Sequence, residues 1–299
     1  MKSTAERVRR AATLGSDVPR GPFPVRVHSV FRAAVNLRAA DGGLLTLLSA
    51  EVPDGPRAVR LDSAEDFASL GLMAGAGGAF GADAIALERP AGRTPFRVDC
   101  AGARRLPAEA PPALDGDGES WRDGVALLEA LQARAATDLR FAPLVGGASD
   151  GGAMGERLTR AALDLGAGVR AGDVEAARDA ATRLVGLGPG LTPAGDDFLC
   201  GFVVAAHCRA AARPARGPLL ARFLDALGGL IDRTTDVSAA FLADAIAGRA
   251  FRPLAALAEA CAGAPQGDVK GAILRLAAVG HSSGLDAATG FFYGAAVWG

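Results

Sequence analysis

The sequence predicts an α+β protein, with a β-rich domain over residues 1–110 followed by an all-helical domain over residues 121–299. Up to about residue 105, short runs of β-prone residues are punctuated by Gly, Pro and Asp, which is typical of a small barrel or sandwich. Beyond residue 120, apolar residues recur with helical periodicity. The segment between them, APPALDGDGES at 110–120, has the composition of a linker.

The β-rich domain is expected to begin with a helix, because Ser3 followed by Glu6 resembles a capping box and the helical segment then runs to about Leu14. Strands are predicted in six places, at 25–30, 34–37, 44–48, 58–61, 84–87 and 96–99. The run GAGGAFG at 75–81 lacks the spacing of a dinucleotide-binding fingerprint and precedes no helical pattern, so a loop is predicted there.

Nine helices are predicted in the second domain from the spacing of its apolar residues. They run over 121–140, 154–165, 173–185, 193–212, 218–231, 236–247, 253–261, 268–279 and 285–298. Gly166, Gly248 and Gly280 stand where the residue that ends a helix is expected. The fourth helix is apolar on nearly all sides, which predicts that it is buried.

The composition argues against several classes of function. The net charge is only −1, so no general attraction to nucleic acid or to an anionic membrane is expected. The four cysteines form no C-x-x-C pair, which disfavours zinc and redox motifs. The N-terminal segment lacks the apolar region of a signal peptide, and no stretch is apolar enough to span a membrane. A cytoplasmic location is therefore expected.

The strongest functional signal is the first Gly-rich loop, GLGPGLTPAGDD at 186–197. Thr192 and Pro193 fit the N-cap and the first position of the helix that follows. Gly188 and Gly190 allow backbone N–H groups to turn toward a ligand, and a helix N-terminus favours an anion. The loop therefore predicts a site for a small anionic substrate.

Two adjacent carboxylates, Asp196 and Asp197, end this loop. Each alone would be an ordinary first-turn acid that complements the helix dipole. Together at a buried helix end they repel each other, which indicates a cation, an arginine or a ligand with N–H donors. A divalent cation such as Mg²⁺ bound by both is one alternative, and no other cofactor is expected.

The second Gly-rich loop is GHSSGLD at 280–286. Ser283 and Asp286 fit the spacing of a capping box with Asp in place of Glu, which leaves His281 and Ser282 to face a ligand.

Both loops share the pattern Gly-x-Asp-x-x-x-Gly, which ends at Gly201 in one and at Gly290 in the other. A glycine inside a helix costs about 1 kcal/mol relative to alanine, so this pair predicts a close helix crossing. Such a crossing would bring the two loops into one site.

Other polar residues are weaker candidates. In TTDVS at 234–238, Thr235 is expected to cap a helix whose first turn contains Ser238, a candidate substrate ligand. Asn36 is a second candidate, since it is a polar residue in strand-like surroundings. The three histidines lie far apart in the sequence, which disfavours a histidine-rich zinc site.

At these residues the chain resembles the AllH-type subunit family of bacterial oxamate carbamoyltransferase. The resemblance lies in four segments, HSVFRAAVNL, GLGPGLTPAGDDFLCG, TTDVS and GHSSGLD. It implies transfer of a carbamoyl group between carbamoyl phosphate and the amide nitrogen of oxamate, giving or consuming oxalurate, in anaerobic allantoin breakdown. It also implies other carbamoyltransferase subunits as partners.

The resemblance implies roles for the loop residues. Asp196, Asp197 and His281 are the catalytic candidates: an aspartate accepts substrate N–H groups, and His281 shuttles a proton. Gly188, Gly190, Thr192, Ser282 and Ser283 are the candidates for holding phosphate or carboxylate oxygens.

Two carboxylates repel an anionic substrate, so either a divalent cation bridges them or one of them turns to an arginine. Two other classes of function stay open. One is a non-catalytic subunit that binds a small anion or serves as a scaffold. The other is a metal-dependent hydrolase that uses both aspartates and His281.

Overall fold

A computed structural model describes residues 8–91, 93–116, 119–134, 141, 144, 152–264 and 267–299. The chain divides into two compact units, Met1–Ala108 and Glu109–Gly299. The first contains a β-barrel and the second is helical, which confirms the predicted α+β class and decides between barrel and sandwich.

Eight strands of the described N-terminal unit close into a barrel, and a short ninth strand pairs with the first. The strands are β1 Arg9–Leu14, β2 Phe23–Val30, β3 Ala34–Ala39, β4 Leu44–Leu48, β5 Ala58–Leu61, β6 Gly77–Phe80, β7 Ala84–Leu87, β8 Phe96–Asp99 and β9 Arg104–Arg105. The order around the barrel is β5, β4, β3, β2, β6, β7, β8 and β1, and antiparallel pairing of β1 with β5 closes it. Strands β4 and β5 are parallel, as are β1 and β8.

The barrel interior is filled by the side chains of alternate residues. On β2, Val25 and Val27 are buried, whereas Arg26 between them is exposed. Phe67, in a 3₁₀ helix at Phe67–Leu70, packs edge-on against Phe96 with ring centroids 6.1 Å apart. The period-2 pattern seen in the sequence thus reflects one face of each strand turned to the core.

Two predictions for this unit are wrong. Residues 9–14 form β1 rather than the end of a helix, because pairing with β5 and β8 overrides the local helical pattern; the expected capping residues at 3 and 6 lie outside the described residues. The expected loop at 75–81 contains β6. Its Gly78 lies so close to β7 that a Cβ would come within 2.6 Å of the Ala86 carbonyl oxygen, which explains a glycine inside a strand.

The described part of the second unit contains nine α-helices, one at each predicted position. They are α1 Glu119–Arg134, α2 Gly152–Ala171, α3 Val174–Leu184, α4 Ala194–Ala212, α5 Gly217–Gly228, α6 Asp236–Ile246, α7 Arg252–Cys261, α8 Val269–Ala277 and α9 Ser283–Trp298. None of these described helices combines the length and the apolar character needed to cross a membrane.

Helices α4 and α9 form the centre of the helical unit, and both are buried on nearly all sides. A Cβ added to Gly201 would lie 1.9 Å from the Ala287 carbonyl oxygen, and one added to Gly290 would lie 1.9 Å from the Phe198 carbonyl oxygen. Their backbones are therefore in direct contact, which confirms the crossing predicted from the two glycines.

Of the three glycines expected to end helices, two do so. Gly248 and Gly280 follow α6 and α8 with φ of +73° and +65°, in the left-handed region that favours glycine. Gly166 does not, because α2 continues past it to Ala171. A Cβ at Gly166 would lie 2.2 Å from the Tyr293 hydroxyl, so this glycine permits close packing of α2 on α9.

We predict that Gly201→Ala lowers the free energy of unfolding by about 1–3 kcal/mol or more, since the added methyl forces two backbones apart. Urea unfolding followed by circular dichroism measures the change. Gly228→Ala is the matched control, because a Cβ there meets no atom within 4 Å. The control should be neutral or stabilising by about 0.5–1 kcal/mol. Equal unfolding curves for the two variants would contradict the close crossing.

Candidate functional site

The two Gly-rich loops meet in the helical unit. Helices α4 and α9 run side by side in the same direction, since Gly290 lies against Phe198 and Gly294 lies against Phe202. Their N-termini therefore share one end of the helix pair. At that end the hydroxyl oxygens of Thr192 and Ser283 are 2.9 Å apart, so the predicted meeting of the loops is confirmed.

Asp196 is buried and fully engaged by protein groups. It is 1% exposed and accepts a hydrogen bond of 2.9 Å from the Gly186 backbone N–H. The hydroxyls of Thr234 and Ser238 also bond to its carboxyl group. Burial raises the pKa of Asp196, and these three hydrogen bonds partly offset the rise. This side chain ties the start of the first loop to the start of α6.

Asp197 has a different environment from its neighbour. It is 9% exposed and is hydrogen-bonded by the hydroxyls of Ser283 and Thr192. Its Oδ2 atom is buried and has no hydrogen-bond partner among the described residues. Burial raises the pKa of Asp197 to about 7, with a smaller contribution from the charge of Asp196.

Asp286, in the first turn of α9, completes the site. It is 1% exposed, and its Oδ2 atom also lacks a hydrogen-bond partner within the described ranges. Burial raises the pKa of Asp286 well above its ordinary value, the charge of Asp197 raises it further, and a hydrogen bond from Ser282 opposes both. Asp197 and Asp286 are called the carboxyl pair below.

The carboxyl pair can both donate and accept hydrogen bonds. Burial raises the pKa of both residues and so favours the protonated form, which supplies an O–H donor, while Asp197, with a pKa of about 7, is also ionised in part near neutral pH and then accepts. In each residue the Oδ2 atom also has no hydrogen-bond partner among the described residues. Such a pair suits a ligand that presents an N–H and a carbonyl oxygen side by side, as an amide does.

The interpretation of Asp286 as part of a capping box is wrong, and Asp286 was therefore not predicted as a site residue. The N-cap of α9 is Ser282, and no side chain caps this helix. The Ser283 hydroxyl instead bonds to Thr192 and Asp197. The repeated Gly-x-Asp-x-x-x-Gly pattern was the available signal, since it aligns Asp286 with Asp197.

The first loop also departs from its expected capping. The N-cap of α4 is Pro193, without a side-chain hydrogen bond, so Thr192 does not cap the helix and its hydroxyl reaches the second loop. Gly188 and Gly190 have φ of +127° and +92°, a conformation that side chains disfavour. They lie on the partly exposed stretch of the loop, outside the buried carboxyls.

Two further segments lie at this end of the helices. Thr235 caps α6 as predicted, with its hydroxyl accepting a 3.1 Å hydrogen bond from the Ser238 backbone N–H. Ser238 is buried and bonds to Asp196, so it supports the first loop. His281 is exposed, just before α9.

Asn36, the remaining predicted ligand, belongs to the N-terminal unit. It is buried on β3, where its amide donates to the Ser29 hydroxyl at 3.0 Å and accepts from the Thr46 hydroxyl at 3.0 Å. Both partners lie on neighbouring strands, β2 and β4. Its role in substrate binding stays a prediction.

A cation bridging Asp196 and Asp197 alone stays a prediction, and no arginine is among the hydrogen-bond partners given for these two residues. Within the described ranges, no group of three His, Cys, Asp or Glu side chains is placed to hold a metal ion. The hydrogen-bond partners of Asp196 and Asp197 are hydroxyls and a backbone N–H. Burial raises the pKa of both carboxyls, and a carboxyl that is protonated carries no charge to repel its neighbour.

These features define a class of protein that joins a closed β-barrel unit to a helical unit with a carboxyl pair beneath two Gly-rich loops. Residues 4–105 match the model of the AllH family N-terminal domain, and residues 184–295 match the model described as oxamate carbamoyltransferase subunit AllH. Together the matches cover more than two thirds of the chain, which belongs to the AllH family. The second match contains both loops and the carboxyl pair. Neither the curated proteins nor the solved structures include a match to this chain.

We predict that Asp197→Asn changes how stability depends on pH. In the folded state the pKa of Asp197 is about 7, whereas in the unfolded chain it is about 4. Between these values the unfolded state releases the proton that the folded state keeps, so wild-type stability falls as pH rises from 4 to 7. Asp197→Asn has no carboxyl group to titrate, so its stability does not fall in this way. Its free energy of unfolding should exceed that of the wild type by on the order of 1–4 kcal/mol as pH rises through that window.

Urea unfolding at pH 5, 6, 7 and 8 tests this prediction. Asp225→Asn on α5 is the control, because Asp225 is exposed and its curve should run parallel to that of the wild type. If Asp197→Asn also runs parallel to the wild type, the Asp197 carboxyl is not a buried group with a raised pKa.

Proposed function

We propose that this chain is a subunit of an oxamate carbamoyltransferase-like enzyme that moves a carbamoyl group between carbamoyl phosphate and oxamate. The supporting observation is the carboxyl pair of Asp197 and Asp286, which lies beneath the two loops inside the region matched by the family model. The family description supports the subunit role itself and the existence of partner subunits.

The reaction sets clear demands on such a site. The amide nitrogen of oxamate forms a bond to the carbamoyl carbon, and the bond from that carbon to the phosphate oxygen breaks. The nitrogen gives up a proton, and phosphate leaves with the bonding electrons. Because an amide nitrogen is a poor nucleophile, positioning and stabilisation of the developing oxyanion must supply much of the rate enhancement.

In this proposal the carboxyl pair acts on the amide. The ionised Asp197 accepts the proton from the nitrogen, a role for which a pKa of about 7 is well matched near neutral pH. Asp286, whose pKa is raised by burial, donates a hydrogen bond to the neighbouring carbonyl oxygen when it is protonated. Asp196, bonded to Gly186, Thr234 and Ser238, acts indirectly by holding the loop in place.

The loops would supply the oxyanion contacts. Backbone N–H groups of Gly188 and Gly190, with the hydroxyls of Thr192, Ser282 and Ser283, are the proposed donors to phosphate or carboxylate oxygens. This makes the first loop a proposed phosphate-binding loop. The proposed role of His281, which is exposed, is to pass a proton to solvent. We further propose a cytoplasmic location and a role in allantoin and purine breakdown.

A non-catalytic role is the second candidate, and one observation favours it. Asp286 is 1% exposed, and the Thr192–Ser283 contact lies between the two loops. A ligand would therefore have to displace surrounding groups to reach Asp286. In this alternative the loops bind a small anion or a partner chain while the chemistry occurs on another subunit.

We predict that Asp197→Asn and Asp286→Asn each lower kcat by roughly 10²–10⁴-fold, the contribution typical of a positioned acid or base. The assay measures oxalurate formation or phosphorolysis with the partner subunits present. Melting temperatures should equal or exceed that of the wild type, since each change removes a buried ionisable group. Asp225→Asn, an exposed change, should leave kcat unaltered.

Asp196→Asn separates positioning from catalysis. Because Asp196 accepts three hydrogen bonds, its replacement should lower the melting temperature as well as activity. Near-normal kcat in both carboxyl-pair variants, with folding intact, would support the non-catalytic alternative.

A further inference from the structure

A second, separate feature of the helical unit is an open groove between α2 and α3. It has a volume of about 590 Å³ and is lined by Glu156, Arg157, Arg160, Thr182, Arg183, Val185, Gly186 and Leu187. This volume is within the range of small-molecule sites. No role was predicted from the sequence for the arginines of this groove.

The groove concentrates positive charge in a chain whose net charge is −1. Its lining carries three arginines against one glutamate. Arg157 and Arg160 are one turn apart on α2, so they share a helix face. Arg183 reaches the groove from α3 and is held by a 2.8 Å bond to Asp164. Among the described residues, Arg157 and Arg160 have no ion pair or hydrogen bond that would neutralise them.

The far side of the groove is the beginning of the first Gly-rich loop. Gly186 and Leu187 line it, and the Gly186 N–H donates to Asp196 at 2.9 Å. The Leu187 carbonyl accepts from the Gly195 N–H at 2.9 Å. The loop is therefore fixed on its inner side by α4, while its outer side contributes to a basic surface.

We propose that this groove binds the phosphate group of a small ligand, on a site distinct from the carboxyl pair. Guanidinium groups match phosphate oxygens through paired N–H donors, and the groove offers those of Arg157 and Arg160 beside Arg183, which is already paired with Asp164. The Thr182 hydroxyl adds a neutral donor. The volume leaves room for an organic substituent on the phosphate, so both free phosphate and a phosphate monoester fit the same chemistry.

Isothermal titration of the purified chain tests the proposal without partner subunits or turnover. The probes are inorganic phosphate and glycerol 3-phosphate, with sodium chloride added to equalise ionic strength. Phosphate should bind, and its affinity should fall as salt is raised. Binding of the ester as well identifies a phosphorylated molecule as the ligand, and binding of phosphate alone identifies free phosphate. Binding of neither probe overturns the proposal.

Three variants test whether the measured phosphate binding occurs in the groove. The double variant Arg157→Ala/Arg160→Ala should weaken phosphate binding by at least about tenfold, since two charged donors are lost. Arg178→Ala is the matched control, because Arg178 is an exposed arginine of α3 that does not line the groove. Glu156→Gln should strengthen binding, since it removes the negative charge from the lining; a gain cannot result from misfolding.

The proposal fails if the double variant binds phosphate as the wild type does, or if Arg178→Ala weakens binding equally. The double variant leaves the loop donors, Asp197 and Asp286 unchanged, so phosphate binding that persists in it would reject the groove and would leave the proposed carbamoyl transfer unaffected. Loss of activity in the carboxyl-pair variants would likewise leave phosphate binding in the groove intact.

Discussion

The backbone contact between α4 and α9 determines the rest of the helical unit. Gly201 and Gly290 each face a carbonyl oxygen of the other helix, at a distance that leaves no room for a side chain. The two helices therefore approach more closely than ordinary side chains allow, and they run in the same direction. Both N-termini, with their acidic first turns, are consequently held at one end.

Two opposing effects act on the carboxyls at that end. A helix N-terminus favours negative charge, because its unpaired N–H groups carry partial positive charge. Burial opposes ionisation, and here it is the largest influence on Asp196, Asp197 and Asp286. The three carboxyl groups differ in how many hydrogen-bond donors surround them. Asp196 is surrounded by donors, whereas Asp197 and Asp286 each retain an oxygen without a partner in the described chain.

The sequence predicted most of the fold and part of the site, for identifiable reasons. Helix positions followed from apolar periodicity, and the crossing followed from glycines in otherwise helical segments. Strand β1 was missed because its pairing partners are distant in the sequence. Asp286 was missed because its spacing to Ser283 also fits a cap. The groove of Arg157 and Arg160 was missed because it forms only when two helices pack together.

Closure of the barrel has a consequence for how the chain folds. Strand β1 pairs Ala11 with Leu61 and Arg9 with Val98, so its partners lie 50 and 89 residues further along the chain. Contacts so distant in sequence require large loops to close before they contribute stability, which slows folding. During synthesis, one edge of β1 can pair with β5 once residue 61 has been made, whereas the edge that pairs with β8 stays unpaired until residues 96–99 follow. A chain interrupted before residue 96 would expose that edge, which makes it prone to aggregation.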